Sequence, residues 1–154
     1  MSTSTLINKL DETADGVMAK SSYEYFTAAA AITAGQVVSL DFAQTDGARA
    51  QNVKPADAAD TDIASPVGIA MHAAASGEDV KVCVAGYCEG AVVSTSTTKG
   101  DLLQIGATAG ELDVRTTAVD EGGSATFNLL QIVAQAMEDD TAGVADVWVY
   151  RLYT

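Results

Sequence analysis

A chain whose second half repeats the spacing of its first is confined to architectures that use one unit twice. Ala34-Gly35-Gln36-Val37-Val38-Ser39-Leu40 returns as Lys99-Gly100-Asp101-Leu102-Leu103-Gln104-Ile105. Gly68-Ile69-Ala70-Met71 returns as Ala134-Gln135-Ala136-Met137, and Asp79-Val80-Lys81-Val82 as Asp146-Val147-Trp148-Val149. The three offsets are roughly 65–67 residues, and near-constant spacing of this kind marks repeated structural units. Each unit reads as a glycine turn, an apolar strand, a loop and an apolar strand ending in Ala-Met. A glycine-containing acidic turn and a strand with alternating valines complete it.

Around these units the pattern is that of short strands. Tyr23–Thr27, Gln36–Asp41, Val67–His72, Val80–Ala85 and Tyr87–Ser94 carry strand-type residues, the last two separated by Gly86. Ala28–Ala31 is ambiguous, because alanine favours helix. Asp46-Gly47 predicts a hairpin turn leading into a strand over Ala48–Val53. Pro55–Pro66 reads as a loop. Leu102–Ile105, Glu111–Thr116, Phe127–Met137 and Asp146–Tyr153 complete the strands, with Asp120–Ser124 as a tight turn. Glycines inside strands, such as Gly86 and Gly90, mark bulges or barrel corners. The expectation is a mainly β fold: a small antiparallel β-barrel or sandwich with two pseudo-repeated lobes, about 34–86 and 99–150, in a body spanning 23–154. Residues 1–22 precede it as an extended N-terminal arm.

The 154 residues suffice for one compact core or two half-size lobes sharing one. The apolar residues are mainly Ala and Val, which suit closely packed pleated sheets. The chain carries 21 acidic against 8 basic residues, a net charge of −13. The bases are scattered, whereas a phosphate backbone is bound by clustered Lys and Arg. Nucleic-acid binding is therefore not expected, nor is attraction to an anionic membrane surface. No stretch reaches the length of an apolar membrane span. Met1-Ser2-Thr3-Ser4-Thr5 lacks the basic and apolar regions of a signal peptide, which predicts synthesis in the cytoplasm.

No catalytic constellation is visible, so the chain is not expected to be an enzyme. The lone His72 has no Ser, Cys or Asp arrangement to make it a general base, and metal sites need several ligands. Cys83 and Cys88 lack zinc or redox spacing, and reduced buried thiols are the default in a cytoplasmic product. Asp57, Asp60 and Asp62 are spaced like calcium ligands but lack the sharp-turn glycine and downstream glutamate, so they read as a solvated loop. Glu138-Asp139-Asp140 reads as surface charge on a turn. No nucleotide-binding glycine loop is present. Catalytic, cofactor-binding and metal residues are accordingly all expected to be absent.

Two groups of residues are candidate contacts. Leu6, Ile7 and Leu10 could line one face of a short helix too small to be stable alone, either an arm that orders on a neighbour or a frayed terminus. In the C-terminal strand, Trp148 and Tyr150 share one face, Arg151 and Tyr153 the other. Trp, Tyr and Arg are enriched at interface hot spots, so this cluster reads either as an oligomer contact or as a plug at one barrel end.

Pro66-Val67-Gly68-Ile69-Ala70-Met71, Ala75-Ser76-Gly77-Glu78-Asp79-Val80-Lys81-Val82-Cys83-Val84-Ala85-Gly86, Lys99-Gly100-Asp101-Leu102-Leu103 and Val133-Ala134-Gln135-Ala136-Met137 with Ala142–Val149 resemble the capsid-decoration (cement) proteins of tailed bacteriophages. The resemblance covers about residues 34–150. It implies a mostly β, often trimeric protein on the outer surface of the virion head. Such a protein has the major capsid protein as its partner and stabilises contacts between capsid subunits. Another virion component, a tail-tube or head-fibre base protein, shares the same β pattern. A small-ligand β module is a further alternative, for which the sequence offers no convergent polar groups.

Overall fold

The computed structural model describes residues 21–58, 65–115, 132–140 and 143–150. Nine strands run through them. They are β1 (Ser22–Ala28), β2 (Val37–Leu40), β3 (Asn52–Pro55), β4 (Pro66–Ala70) and β5 (Asp79–Val92), then β6 (Leu102–Ile105), β7 (Leu112–Val114), β8 (Ile132–Ala136) and β9 (Val144–Val149). The strand order is β1-β3-β2-β4-β5-β9-β8-β6-β7, and β1 also pairs with β5. The first five strands therefore close into a barrel. All pairings between named strands are antiparallel except β1 with β3.

The repeat in the sequence is a repeat in hydrogen bonding, except that the third match shifts by two residues. The registers set Lys81-Val82-Cys83, not Asp79-Val80-Lys81, in the place of Asp146-Val147-Trp148, because strand pairing and not the shared Asp-Val pattern fixes the alignment. The order β3-β2-β4-β5 recurs as β7-β6-β8-β9. The Gly35 N–H donates to the Ala70 carbonyl at 2.8 Å, and the Gly100 N–H to that of Ala136 at 2.9 Å. Met71 N–H reaches the Lys81 carbonyl and Met137 N–H that of Asp146, both at 2.8 Å. Ile32 bridges Ala74 in the first unit, and Thr97 bridges Asp140 in the second. Side chains close the equivalent turns: Gln36 Oε1 accepts from the Thr33 N–H and Asp101 Oδ2 from the Thr98 N–H, each at 2.8 Å.

β5 joins the units. Its first half pairs with β1, and its second half, antiparallel to β9, takes the place in unit two that β1 holds in unit one. Val93, one residue beyond it, bridges Leu112 in the parallel sense, as β1 pairs with β3. The two strands expected over Val80–Ala85 and Tyr87–Ser94 are thus one. Gly86 (φ 94°) and Gly90 (φ 68°) bend it, with a register shift between Cys88 and Ala91, and neither ends it.

The expected hairpin at Asp46-Gly47 is instead a short 3-10 helix, Asp46–Ala50, and the following strand starts only at Asn52. The cause lies upstream. Asp41 accepts from the Ala43 N–H at 3.1 Å and Gln44 Nε2 at 2.7 Å, and Arg49 Nε donates to the Gln44 carbonyl at 2.6 Å. These bonds wind the segment before a two-residue turn can form. Pro55 and Pro66 prove to be strand residues, the last of β3 and the first of β4. The Asp120–Ser124 turn lies outside the described residues.

Two clusters form the core. Ala28, Ile32, Val38, Val53, Val67, Val80, Val82 and Val84 fill the first barrel. Leu103, Ile105, Leu112, Val133, Val147 and Val149 fill the second unit, joined by Val37, Ile69 and Cys83 from the outside of the first. β2 and β4 are therefore buried on both faces, which explains why Val37-Val38 does not alternate with polar residues. Gly110 fastens the units: its carbonyl accepts from Val37 N–H at 3.0 Å and its N–H donates to the Ala56 carbonyl at 2.7 Å.

Candidate docking surface

β9 alternates along its length. Ala145, Val147 and Val149 are buried in the core, whereas Val144, Asp146, Trp148 and then Tyr150 lie on the opposite face, half-buried or exposed. The strand registers extend this outer face sideways. Tyr87 on β5 stands opposite Trp148, Trp148 opposite Gln135 on β8, and Gln135 opposite Leu102 on β6. One row thus crosses four strands: Tyr87, Trp148, Gln135, Leu102. Leu102 is 39% exposed, in contrast to its fully buried neighbour Leu103.

Hydrogen bonds hold the row's polar members. Tyr150 Oη donates to Gln135 Oε1 at 3.1 Å, and Gln135 Nε2 donates to the Gly100 carbonyl at 3.0 Å. The Tyr87 hydroxyl donates to Asp146 Oδ2, and Asp146 Oδ1 accepts from Gly90 N–H at 3.2 Å. The Tyr87 pKa is raised well above its usual value, chiefly by the bond to Asp146, then by burial and by the charges of Asp146, Glu89 and Glu138. This end of the row therefore lies in a negative field.

Of the residues singled out in the sequence, Trp148 and Tyr150 come together on this face, turned away from the core rather than into a barrel end. Leu6, Ile7, Leu10, Arg151 and Tyr153 lie outside the described residues. Tyr87, Gln135 and Leu102 were not visible as candidates in the sequence. The repeat offset sets Gln135 and Leu102 in the places of Ile69 and Val37, whereas Tyr87 joins them only through its pairing with Trp148.

Elsewhere among the described residues the geometry offers no reacting set. His72 Nε2 accepts from the Lys81 N–H at 3.1 Å, and Nδ1 lies 3.0 Å from the Ala73 carbonyl, so both ring nitrogens hold the loop. Cys83 and Cys88 are free, buried thiols. The Cys88 pKa is pushed up, first by its hydrogen bond to Cys83 and then by burial, so it is a poor nucleophile. An open recess of about 390 Å³ beside Ser94, Gln104 and Asp113 pairs the Ser94 hydroxyl with Asp113, with no histidine lining it to act as base. Among the described residues no group of three or more His, Cys, Asp or Glu could hold a metal ion.

No protein-family model and no curated protein matches this sequence. The fold does have a counterpart among solved structures. The chain is similar to the head fiber gp8.5 N base of bacteriophage phi29, with a TM-score of 0.54 and 14% sequence identity over 85% of this chain and 95% of that one. At this identity the likeness shows the fold. The architecture of this chain, nearly entire, is one that a phage head-fibre protein uses.

Proposed function

We propose that this protein is a non-enzymatic virion structural protein that binds the outer surface of a phage head and stabilises contacts between major capsid protein subunits. The observation that carries the reading is the shared fold with the phi29 head fiber base, which spans almost the whole of both chains. The chain's chemistry supports it. The described residues hold no reacting set, the second unit packs on Val37, Ile69 and Cys83 of the first, and the outer face bears Trp148 and Tyr150, types enriched at binding hot spots.

The physical logic is avidity. A head offers many copies of a composite surface that exists only after assembly, so modest contacts repeated by a symmetric oligomer add up. In this reading the protein is a homotrimer. Residues 1–22, with Leu6, Ile7 and Leu10, reach onto a neighbouring subunit, and neither nucleic acid nor membrane is a partner.

A second reading, that the protein is itself the base of a head fibre, is favoured by its structural counterpart, the head fiber N base of phi29. It shares the site of attachment and differs in what projects from it.

The test is the native mass of the purified protein by light scattering, followed by sedimentation with expanded head shells. A trimer that pellets with shells is expected. A monomer without affinity for shells overturns the reading. Negative-stain images separate a cement layer from spikes. Removing residues 1–22 is expected to leave a folded trimer that no longer stays on shells, and normal occupancy by the truncated protein would refute the arm's role.

A further inference from the structure

The two units present equivalent rows in different company. In the first, Tyr23 stands opposite Cys83, Cys83 opposite Ile69, and Ile69 opposite Val37. In the second, the same positions are Tyr87, Trp148, Gln135 and Leu102. Cys83, Ile69 and Val37 are wholly buried because the second unit covers them. Nothing among the described residues covers the second row in the same way. Tyrosine stands at one end of both rows, but Cys83 and Ile69 of the covered row are matched by the broader, polar-tipped Trp148 and Gln135, and Val37 by the larger Leu102.

The row's two ends differ. Leu102 supplies an exposed apolar end, where the Arg115 N–H bonds the Leu102 carbonyl at 2.8 Å. At the Tyr87 end, three carboxylates (Asp146, Glu89 and Glu138) act on one phenol. The Glu138 side chain also accepts from the Asp146 N–H at 3.2 Å, which draws it toward the same edge.

We propose that the Tyr87–Trp148–Gln135–Leu102 row is a docking surface for a protein segment carrying a large apolar side chain next to Lys or Arg. The apolar side chain packs on Leu102 and the Trp148 ring, and the cations meet Asp146, Glu89 and Glu138. Charge complementarity selects this occupant. A second copy of the chain brings 21 acidic residues against 8 basic ones, so an acid-edged face repels it. The inference deepens the proposed function by naming the face and the partner's chemistry. It rests on that reading only for the partner's identity as a capsid subunit.

Trp148 is the only tryptophan in the chain, so its fluorescence reports directly on this row. The probe is a short peptide alternating Lys with Leu, compared with its Glu/Leu counterpart. The expected result is a saturable change in Trp148 emission with the Lys/Leu peptide alone, weakened by salt, with a dissociation constant of about millimolar or tighter. Leu102→Asp and the exposed double variant Glu89→Lys/Glu138→Lys, each checked for folding by circular dichroism, are expected to weaken it roughly tenfold or more. No response to either peptide, equal response to both, or undiminished binding by the variants would overturn the proposal. So would self-association that shields Trp148 from a neutral quencher. Shell sedimentation of the same proteins is scored separately: its failure in the parent protein counts against the head-surface reading, while the peptide response decides the face.

Discussion

A Cβ atom placed on Gly68 would stand 2.0 Å from the carbonyl oxygen of Cys83. The two residues lie on the adjacent strands β4 and β5, and the missing side chain lets the first barrel close against the strand that links both units. Gly35 meets the bend of β5 in the same manner: its Cβ would fall 2.3 Å from the Gly90 carbonyl oxygen, at a φ of 83°.

Gly68→Ala is therefore expected to destabilise the protein by about 3 kcal/mol, because the obstacle is backbone and cannot move aside. Gly77 also has positive φ, 88°, but open space around it. Gly77→Ala is expected to cost only about 1 kcal/mol of conformational strain. Denaturant midpoints of the two variants test the difference.

Leu102 and Leu103 separate the outer face from the core within one residue. Leu103→Ala is expected to lose about 3 kcal/mol, since its side chain is fully buried in the second unit. Leu102→Ala is expected to change stability by less than about 0.5 kcal/mol while reducing peptide binding. Equal losses of stability would place both residues in the core and contradict the assigned face.

The repeat was legible because turn glycines and apolar strands recur at nearly constant spacing, and Leu102–Ile105 matches its strand residue for residue. The continuity of β5 was not legible. Gly86 reads as the gap between two strands, yet like Gly90 it takes a positive φ that bends one strand whose pairing continues on both sides, so only the bulges were legible. The row was only half legible. Period two places Trp148 and Tyr150 together, but Tyr87, Gln135 and Leu102 join them through registers between strands far apart in sequence.

Comparing the units exposes a misfit at Thr97. It holds the place of Ile32, is buried like it, and its hydroxyl has no hydrogen-bond partner among the described residues. Thr97→Val keeps the shape and removes the unpaired oxygen. It is expected to stabilise the protein by about 1 kcal/mol. A loss of stability on thermal or denaturant unfolding would mean that the hydroxyl is in fact satisfied.

Tyr87 predicts a pH dependence. The unfolded chain ionises this phenol near the ordinary value of 10.0, while the bond to Asp146, burial and the surrounding carboxylates keep it protonated higher in the folded state. Its contribution to stability is complete below about pH 10 and is lost as pH rises toward the folded-state value, because the folded protein then holds the extra proton. Stability is expected to fall more steeply above about pH 10 in the parent protein than in Tyr87→Phe. Denaturant unfolding of both across this range checks the slope, and parallel slopes would remove Tyr87 as the cause.

The most direct measurement of the central claim is a cryo-electron-microscopy reconstruction of expanded head shells incubated with the purified protein. The account predicts added density on the outer surface, spanning the boundaries between capsid subunits and fitted by the two-unit fold. Shells that acquire no outer density, or protein found only on tails, would contradict it.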